Sequence, residues 1–272
     1  MRYTLTVTAE QSGRQLGEIL RQNGWSRRQV TSLKRTEGGI LLDGEHARTV
    51  DVCREGQVIT LERADSTSPD PNPDLRADIL YEDGHIIVFD KPSGMPTHES
   101  HGHRGDALSN LFAAHCGGLT FRSVNRLDRE TSGCVIVAKD AHAALTAAKT
   151  VRKIYCGVCE GVPEPKSGRI DAPIARERES VIIRCVRGDG KPSVTLYDVT
   201  EENGSSARCD FTLLTGRTHQ IRVHMAHIGH PLRGDSLYGN GGGTLALCCR
   251  EVGFTAADGR EIVCRSALIP EL

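Results

Sequence analysis

The chain has 272 residues, 38% of them hydrophobic and 25% charged, with a formal net charge of −1, enough for one large domain or a large and a small one with a buried core. No window approaches ~18 uninterrupted apolar residues, and the start Met1-Arg2-Tyr3-Thr4-Leu5 carries no basic-then-apolar leader, so membrane insertion and secretion are not expected and the cytoplasm is the expected compartment. Without a leader, the ten cysteines read as reduced small hydrophobes, and the near-zero charge means that any polyanionic partner must be met by local positive patches.

From Gln15 to about Arg35 the pattern predicts two helices. Leu16, Ile19 and Leu20 share the face of the first, and Ser26 with Gln29 forms a capping box for the second. After the turn Glu37-Gly38-Gly39, the short apolar runs Ile40–Leu42 and Val58–Leu61 read as strands, with Asp43-Gly44 as a tight turn. Arg27, Arg28, Lys34 and Arg35 have no acidic residue among them and would give the second helix a positive face for phosphates, although a solvated helix face is the more general reading of such a run. The segment resembles the small αL RNA-binding domain first described in a small-subunit ribosomal protein. That resemblance implies an RNA-gripping module over residues 1–63. From Ala64 to Asp78, Asp65, Asp70, Asp74 and Asp78 alternate with Ser66, Ser68, Pro69, Pro71 and Pro73, a linker composition. The linker is set at 64–74, with the larger domain at 75–272.

Beyond Leu75 strands dominate. Ile79–Tyr81 and Ile86–Phe89 flank Asp83-Gly84 as a hairpin, and further strands are expected at Val135–Ala138, Val181–Ile183 and Val194–Tyr197. Asp90-Lys91-Pro92-Ser93-Gly94-Met95-Pro96-Thr97 reads as a rigid loop, with Lys91 either touching a ligand or buttressing a site. The Ala-rich run from Asp140 to Val151 predicts a helix with Asp140 as N-cap. A second helix is expected from about Thr218 to Ile228, ended by Gly229 and Pro231. Strands without regular βαβ alternation predict an α+β domain on a mixed, largely antiparallel sheet with flanking helices.

The stretch Asn125-Arg126-Leu127-Asp128-Arg129-Glu130-Thr131-Ser132-Gly133 places one carboxylate in a polar turn just before a buried strand, a position that delivers side chains to the lip of a sheet. An isolated Asp there would be an ordinary turn residue. The run Arg-Leu-Asp-x-x-Thr-Ser-Gly resembles the signature of the RluA-type pseudouridine synthases, and two further segments carry the same resemblance. One is Asp90–Thr97; the other runs from Gly216-Arg217-Thr218-His219-Gln220-Ile221-Arg222-Val223-His224 to Gly239. The likeness extends from about Gln11 to Tyr238. Asn125 departs from it, standing where the family has His, and so does Leu245-Ala246-Leu247-Cys248-Cys249, where the family reads Leu-His-Ala.

The resemblance implies isomerisation of uridine in RNA with no cofactor and no metal. Asp128 would attack or deprotonate the ribose as the C1′–N1 bond breaks, after which the freed uracil turns and rejoins through C5. Period-two alternation puts Lys153 and Tyr155 on one strand face. The resemblance makes Tyr155 the ring that stacks on the base, and a candidate for taking the C5 proton. Arg222 would fork onto Asp128 and hold it ionised. Arg126, Lys153, Arg217 and His219 are read as RNA contacts. The partner is then structured RNA, ribosomal or transfer, with large-subunit ribosomal RNA favoured by the accessory module, and the enzyme acts as a monomer.

Other motifs carry less. Cys156-Gly157-Val158-Cys159 lacks the second pair of a zinc ribbon. His224, His227 and His230 recur every three residues, but Gly229-Pro231 ends the helix before the last. His98-x-x-His101-x-His103 reads as a polar loop, and Gly188-Asp189-Gly190-Lys191-Pro192-Ser193 reads as a turn because Pro192 breaks the phosphate-loop pattern. Two rival functions remain. A non-catalytic RNA-binding or ribosome-assembly factor on the same scaffold predicts no pseudouridine. A glycosidic hydrolase would need a second carboxylate that no motif supplies.

Overall fold

The computed structural model describes residues 2–25, 27–36, 38–62, 69–100, 102–179, 182–256 and 258–272. The N-cap expected at Ser26, the turn residue Glu37, the linker residues Ala64–Ser68, His101 and Val181 lie outside them.

The first unit comprises β1 (Arg2–Thr6), α1 (Leu16–Gln22), α2 (Arg27–Leu33), β2 (Ile40–Leu42), β3 (Glu45–His46) and β4 (Val58–Glu62). Its strands form an antiparallel sheet in the order β1-β4-β2-β3. Leu16, Ile19 and Leu20, on the predicted face of α1, are fully buried with Leu33, Ile40, Ile59 and Leu61 in a core of their own. Asp43 and Gly44 both take positive φ (52° and 89°), the backbone a tight hairpin turn requires. This unit rests on the rest of the chain through aromatic rings: Trp25 stacks on His142 at 5.7 Å, and Tyr3 meets the same imidazole at 5.0 Å.

The second unit runs through β5 (Asp78–Glu82), β6 (Ile86–Lys91), α3 (Leu108–Cys116), β7 (Arg122–Ser123), β8 (Ser132–Ala138), α4 (Ala141–Thr150) and β9 (Arg152–Glu160). It continues with β10 (Ser167–Asp171), β11 (Ile174–Arg176), β12 (Arg184–Val186), β13 (Val194–Glu202), β14 (Ser206–Leu213), α5 (Gln220–His227), β15 (Leu247–Thr255) and β16 (Glu261–Arg265). The large sheet has the order β10-β13-β14-β9-β15-β8-β6-β5, with β16 on β15 and β7 on β8. Its β15–β8 pair is parallel and its other pairs antiparallel, so the expected α+β class with a mixed, largely antiparallel sheet is what the chain forms. Every residue of β8 is buried, which is why its sequence is a continuous apolar run rather than an alternating one. Asp140 caps α4 as expected, its carboxylate accepting the N–H groups of His142 and Ala143.

Two expectations are corrected. No strand covers Ile182 and Ile183; the strand starts at Arg184, because its register is fixed by pairing with β11 (Ile174 opposite Val186), and Ile182 is left exposed. The helix near Thr218 begins at Gln220, since His219 has a left-handed backbone (φ 58°) that cannot continue into it. In the described end of the proline-rich stretch Asn72 donates to Gly105 O (2.6 Å) and Asp70 O accepts from Asn110 of α3 (2.8 Å). Among the described residues no helix is long and apolar enough to cross a membrane.

Candidate active site

The loop carrying Asp128 is held from both sides. Asn125, where the family has His, folds back on β8: its Oδ1 accepts the Ile136 N–H (2.8 Å) and its Nδ2 donates to Cys134 O (3.0 Å). Thr97 bridges the backbone of Leu127, donating to its carbonyl (2.7 Å) and accepting its N–H (3.1 Å). Ser93 Oγ donates to Glu130 O and the Gly94 N–H to Arg129 O. Lys91 is fully buried, and its ammonium donates to the carbonyls of Pro92, Met95 and Arg129. Burial pushes its pKa down to about 8 against the attraction of Asp128 and Glu130. Lys91 therefore buttresses the loop and does not reach the surface. Gly133 closes the motif for a steric reason: φ is 107°, and a Cβ there would lie 2.3 Å from Cys249 O on the parallel neighbour β15.

Asn125→Ala would strand a buried N–H and a buried C=O of β8. The expected cost is about 2–3 kcal/mol, read as a lower urea midpoint with an unchanged denaturant slope.

Asp128, Tyr155, His219 and Arg222 line one recess of about 80 Å³, which opens into a groove of about 980 Å³ walled in part by Arg126, Lys153 and Arg217. The fold thus brings seven of the expected residues to one cleft. The Asp128 side chain is 35% exposed and meets solvent at the bottom of the groove. Tyr155, on β9, is buried; burial first, then the neighbouring Cys249 and Asp128, raise its pKa well above the ordinary value. It is therefore a neutral phenol, which argues against a role as a base in the unliganded site.

Arg222 is the main correction. Its fork goes to Asp235 rather than Asp128: Nε donates to Oδ2 (2.7 Å) and Nη2 to Oδ1 (2.6 Å), with both side chains buried. Asp235 also accepts the N–H groups of Leu237 (2.9 Å) and Tyr238 (3.1 Å). Burial opposes its ionisation, and these four bonds outweigh that, leaving its carboxyl below the usual range. Asp235 offers both carboxylate oxygens to the fork and is itself oriented by two backbone N–H groups, the additional bonds a buried ion pair needs. Arg222 still lies in the recess and attracts Asp128 through space. His219, expected as an RNA contact, lines the recess and the groove. Its side chain is 5% exposed, with Nε2 3.9 Å from Asp128 Oδ2 and Nδ1 2.7 Å from the Tyr238 hydroxyl. Tyr238 in turn lies beneath Arg222, whose Cζ is 5.2 Å from the ring centre. Sequence reasoning gave Asp235 and Tyr238 no role; they stand inside the third resembling segment, but no spacing rule pairs residue 222 with 235.

Arg27, Lys34 and Arg35 are exposed in and just after α2, outside the cleft, and the Arg28 side chain lies outside the described residues. The histidines of α5 do not converge: His224 uses Nδ1 on Thr195 (2.9 Å) and Nε2 on Ala172 O (2.9 Å), while His230 Nδ1 bonds Glu160 O. Cys156 and Cys159 are three apart on a strand, hence on opposite faces, and all ten cysteines are free thiols.

A family model described as RNA pseudouridylate synthase matches residues 85–227. The uncharacterized RNA pseudouridine synthase YjbO of Bacillus subtilis is 37% identical over 230 residues, 79% of this chain and 80% of its own length. Ribosomal large subunit pseudouridine synthase D of Pseudomonas aeruginosa is 38% identical over 213 residues, 75% of this chain and 66% of its own. Among solved structures, human RNA pseudouridylate synthase domain containing 1 matches with a TM-score of 0.60 at 25% identity, over 70% of this chain and 83% of that one. With the family model spanning more than half of its length, this chain belongs to the RNA pseudouridylate synthase family, enzymes that isomerise uridine in RNA to pseudouridine.

Proposed function

We propose that Asp128 is the reacting carboxylate and that it acts on a uridine swung out of the RNA into the recess it shares with Tyr155. The observation that carries this is the meeting of one half-exposed carboxylate and one buried aromatic ring at the bottom of a groove with basic walls. In the proposed sequence Asp128 adds to C1′, or takes a proton from the ribose, as N1 departs with the glycosidic electron pair. The uracil turns and C5 bonds C1′ as the Asp128–C1′ bond breaks, or, on the second route, as Asp128 returns the proton to the ribose; the C5 proton is then lost while N1 gains one, so Asp128 is regenerated and the net change is an isomerisation. Tyr155 serves as the shelf: base–aromatic stacking is worth about 1–3 kcal/mol, comparable with the few kcal/mol needed to take a base out of its stack. Arg222 acts on Asp128 as a fixed positive charge held by Asp235 rather than as its hydrogen-bonding partner. Every proposed group belongs to one chain, so a monomer suffices.

The substrate we propose is large-subunit ribosomal RNA, supported by the 38%-identical synthase D of Pseudomonas aeruginosa, which is named for that subunit. Arg126, Lys153 and Arg217 are the proposed phosphate contacts of the groove. Arg27, Lys34 and Arg35 are those of the first unit, which we take to be an RNA-gripping module over residues 1–63, with residues 75–272 as the catalytic domain.

Mapping pseudouridines in total RNA from cells with and without the gene tests the reading. Loss of one or more sites in large-subunit ribosomal RNA is expected. An unchanged map, together with RNA binding by the purified protein, would favour a non-catalytic factor.

A further inference from the structure

Among the described residues, the basic side-chain nitrogen that comes within 4.0 Å of the Asp128 carboxylate is His219 Nε2, at 3.9 Å. What that nitrogen offers depends on the tautomer, and Tyr238 sets it. The Tyr238 hydroxyl accepts the backbone N–H of Arg184 (2.9 Å) and lies 2.7 Å from His219 Nδ1. With that N–H already accepted, the arrangement that uses both roles of the hydroxyl has it donate its own proton to Nδ1. Nδ1 is then the acceptor, and in a neutral imidazole the ring proton sits on Nε2, facing Asp128.

The ring is kept neutral by its surroundings. Burial lowers its basicity first. Of the charged groups around it, Arg222 on α5 and Arg184 on β12 push the same way, while Asp128 on its loop and Asp235 oppose them. The backbone fixes the aim. His219 has φ 58° at the start of α5, and the Gln220 side chain holds that turn by accepting the Arg217 N–H (3.0 Å) and donating to Val194 O (3.0 Å).

We infer that His219 is a positioning residue for Asp128: a neutral N–H, locked on Nε2 by Tyr238, that closes onto Asp128 Oδ2 when substrate fills the recess and leaves Oδ1 turned toward the ribose. At 3.9 Å the pair is too long for a hydrogen bond in the free protein, so the bond would form only as substrate fills the recess. Neutrality matters for the chemistry. An imidazolium at that distance would pair with the carboxylate and blunt it, whereas a neutral donor orients it at smaller cost in reactivity. The inference rests on reading Asp128 as the reacting group.

Single-turnover rates and RNA dissociation constants, measured on a transcript carrying a site identified by the mapping above, test it. His219→Asn keeps a residue that tolerates positive φ but does not reach Asp128; the rate is expected to fall about 100-fold with the RNA dissociation constant unchanged within about twofold. His219→Gln places an amide N–H near the Nε2 position and should recover most of that loss, despite the strain at φ 58°. Tyr238→Phe keeps the ring and releases the tautomer, and a loss of about tenfold is expected. Asp128→Asn separates the two readings. If it stays active, the assignment of Asp128 fails; if it is dead while His219→Asn or Tyr238→Phe turns over like the wild type, only the present inference fails. Equal losses in His219→Asn and His219→Gln, or losses that follow weakened RNA binding, also overturn it.

Discussion

Asp128→Asn is expected to lower single-turnover pseudouridine formation by at least about 10⁴-fold, the order seen when a reacting side chain is removed from an enzyme, while the RNA dissociation constant stays within about threefold. The amide has nearly the shape of the carboxylate but can neither add to C1′ nor accept a proton from the ribose. The loop that carries it is held by Lys91, Ser93, Thr97 and Asn125, none of which bonds the Asp128 side chain, so its geometry should survive. RNA affinity comes mainly from phosphate contacts and their counterion release, and Arg126, Lys153 and Arg217 are untouched. Any change in binding should be a slight tightening, because a negative charge has left the groove. Nucleoside analysis of a timed reaction, with filter binding in parallel, reads both quantities. A rate within tenfold of wild type would remove Asp128 from the chemistry.

The second large effect is on stability. Asp235→Asn leaves the Arg222 guanidinium, 4% exposed in the folded protein, without its counter-charge, and breaking such a pair from one side costs about 3–5 kcal/mol. Part of that comes from the two backbone N–H groups that Asp235 also accepts, since an amide oxygen is a weaker acceptor than a carboxylate. The urea midpoint should drop accordingly. The double change Arg222→Met with Asp235→Leu should recover much of the loss, because replacing both partners by apolar groups removes the stranded charge. It should not recover activity, because the positive charge near Asp128 is gone. Equal stability of Asp235→Asn and wild type would mean that the pair is not buried as described.

What could be read from the sequence was local. The Asp128 loop, the buried β8 that follows it and the Asp140 cap are set by neighbours a few residues away, and all three sit where their pattern put them. Tyr155 came from the family resemblance, and period-two alternation only put it on the same strand face as Lys153. The partner of Arg222 did not follow, because Asp128 and Asp235 are equally good charge complements on paper. The choice between them is made by burial and by the Leu237 and Tyr238 N–H groups, which only the tertiary structure supplies. The approach of His219 to Asp128 was not legible either: it depends on a left-handed backbone at residue 219, before the helix starts at Gln220. At Ile182 a β-branched run suggested a strand, and among the described residues no strand pairs there. Cys248 and Cys249, departures from the family pattern, leave β15 in place between β8 and β9, where small buried thiols pack against both neighbours.

The most direct test of the central claim is a structure of Asp128→Asn bound to an RNA carrying the mapped uridine, since this variant should bind without turning over. The target uridine is expected to leave its stack, lie on the Tyr155 ring and bring C1′ against residue 128, with phosphates on Arg126 and Arg217. A uridine still stacked within the RNA, or one held at another face of the sheet with the recess unfilled, would contradict it.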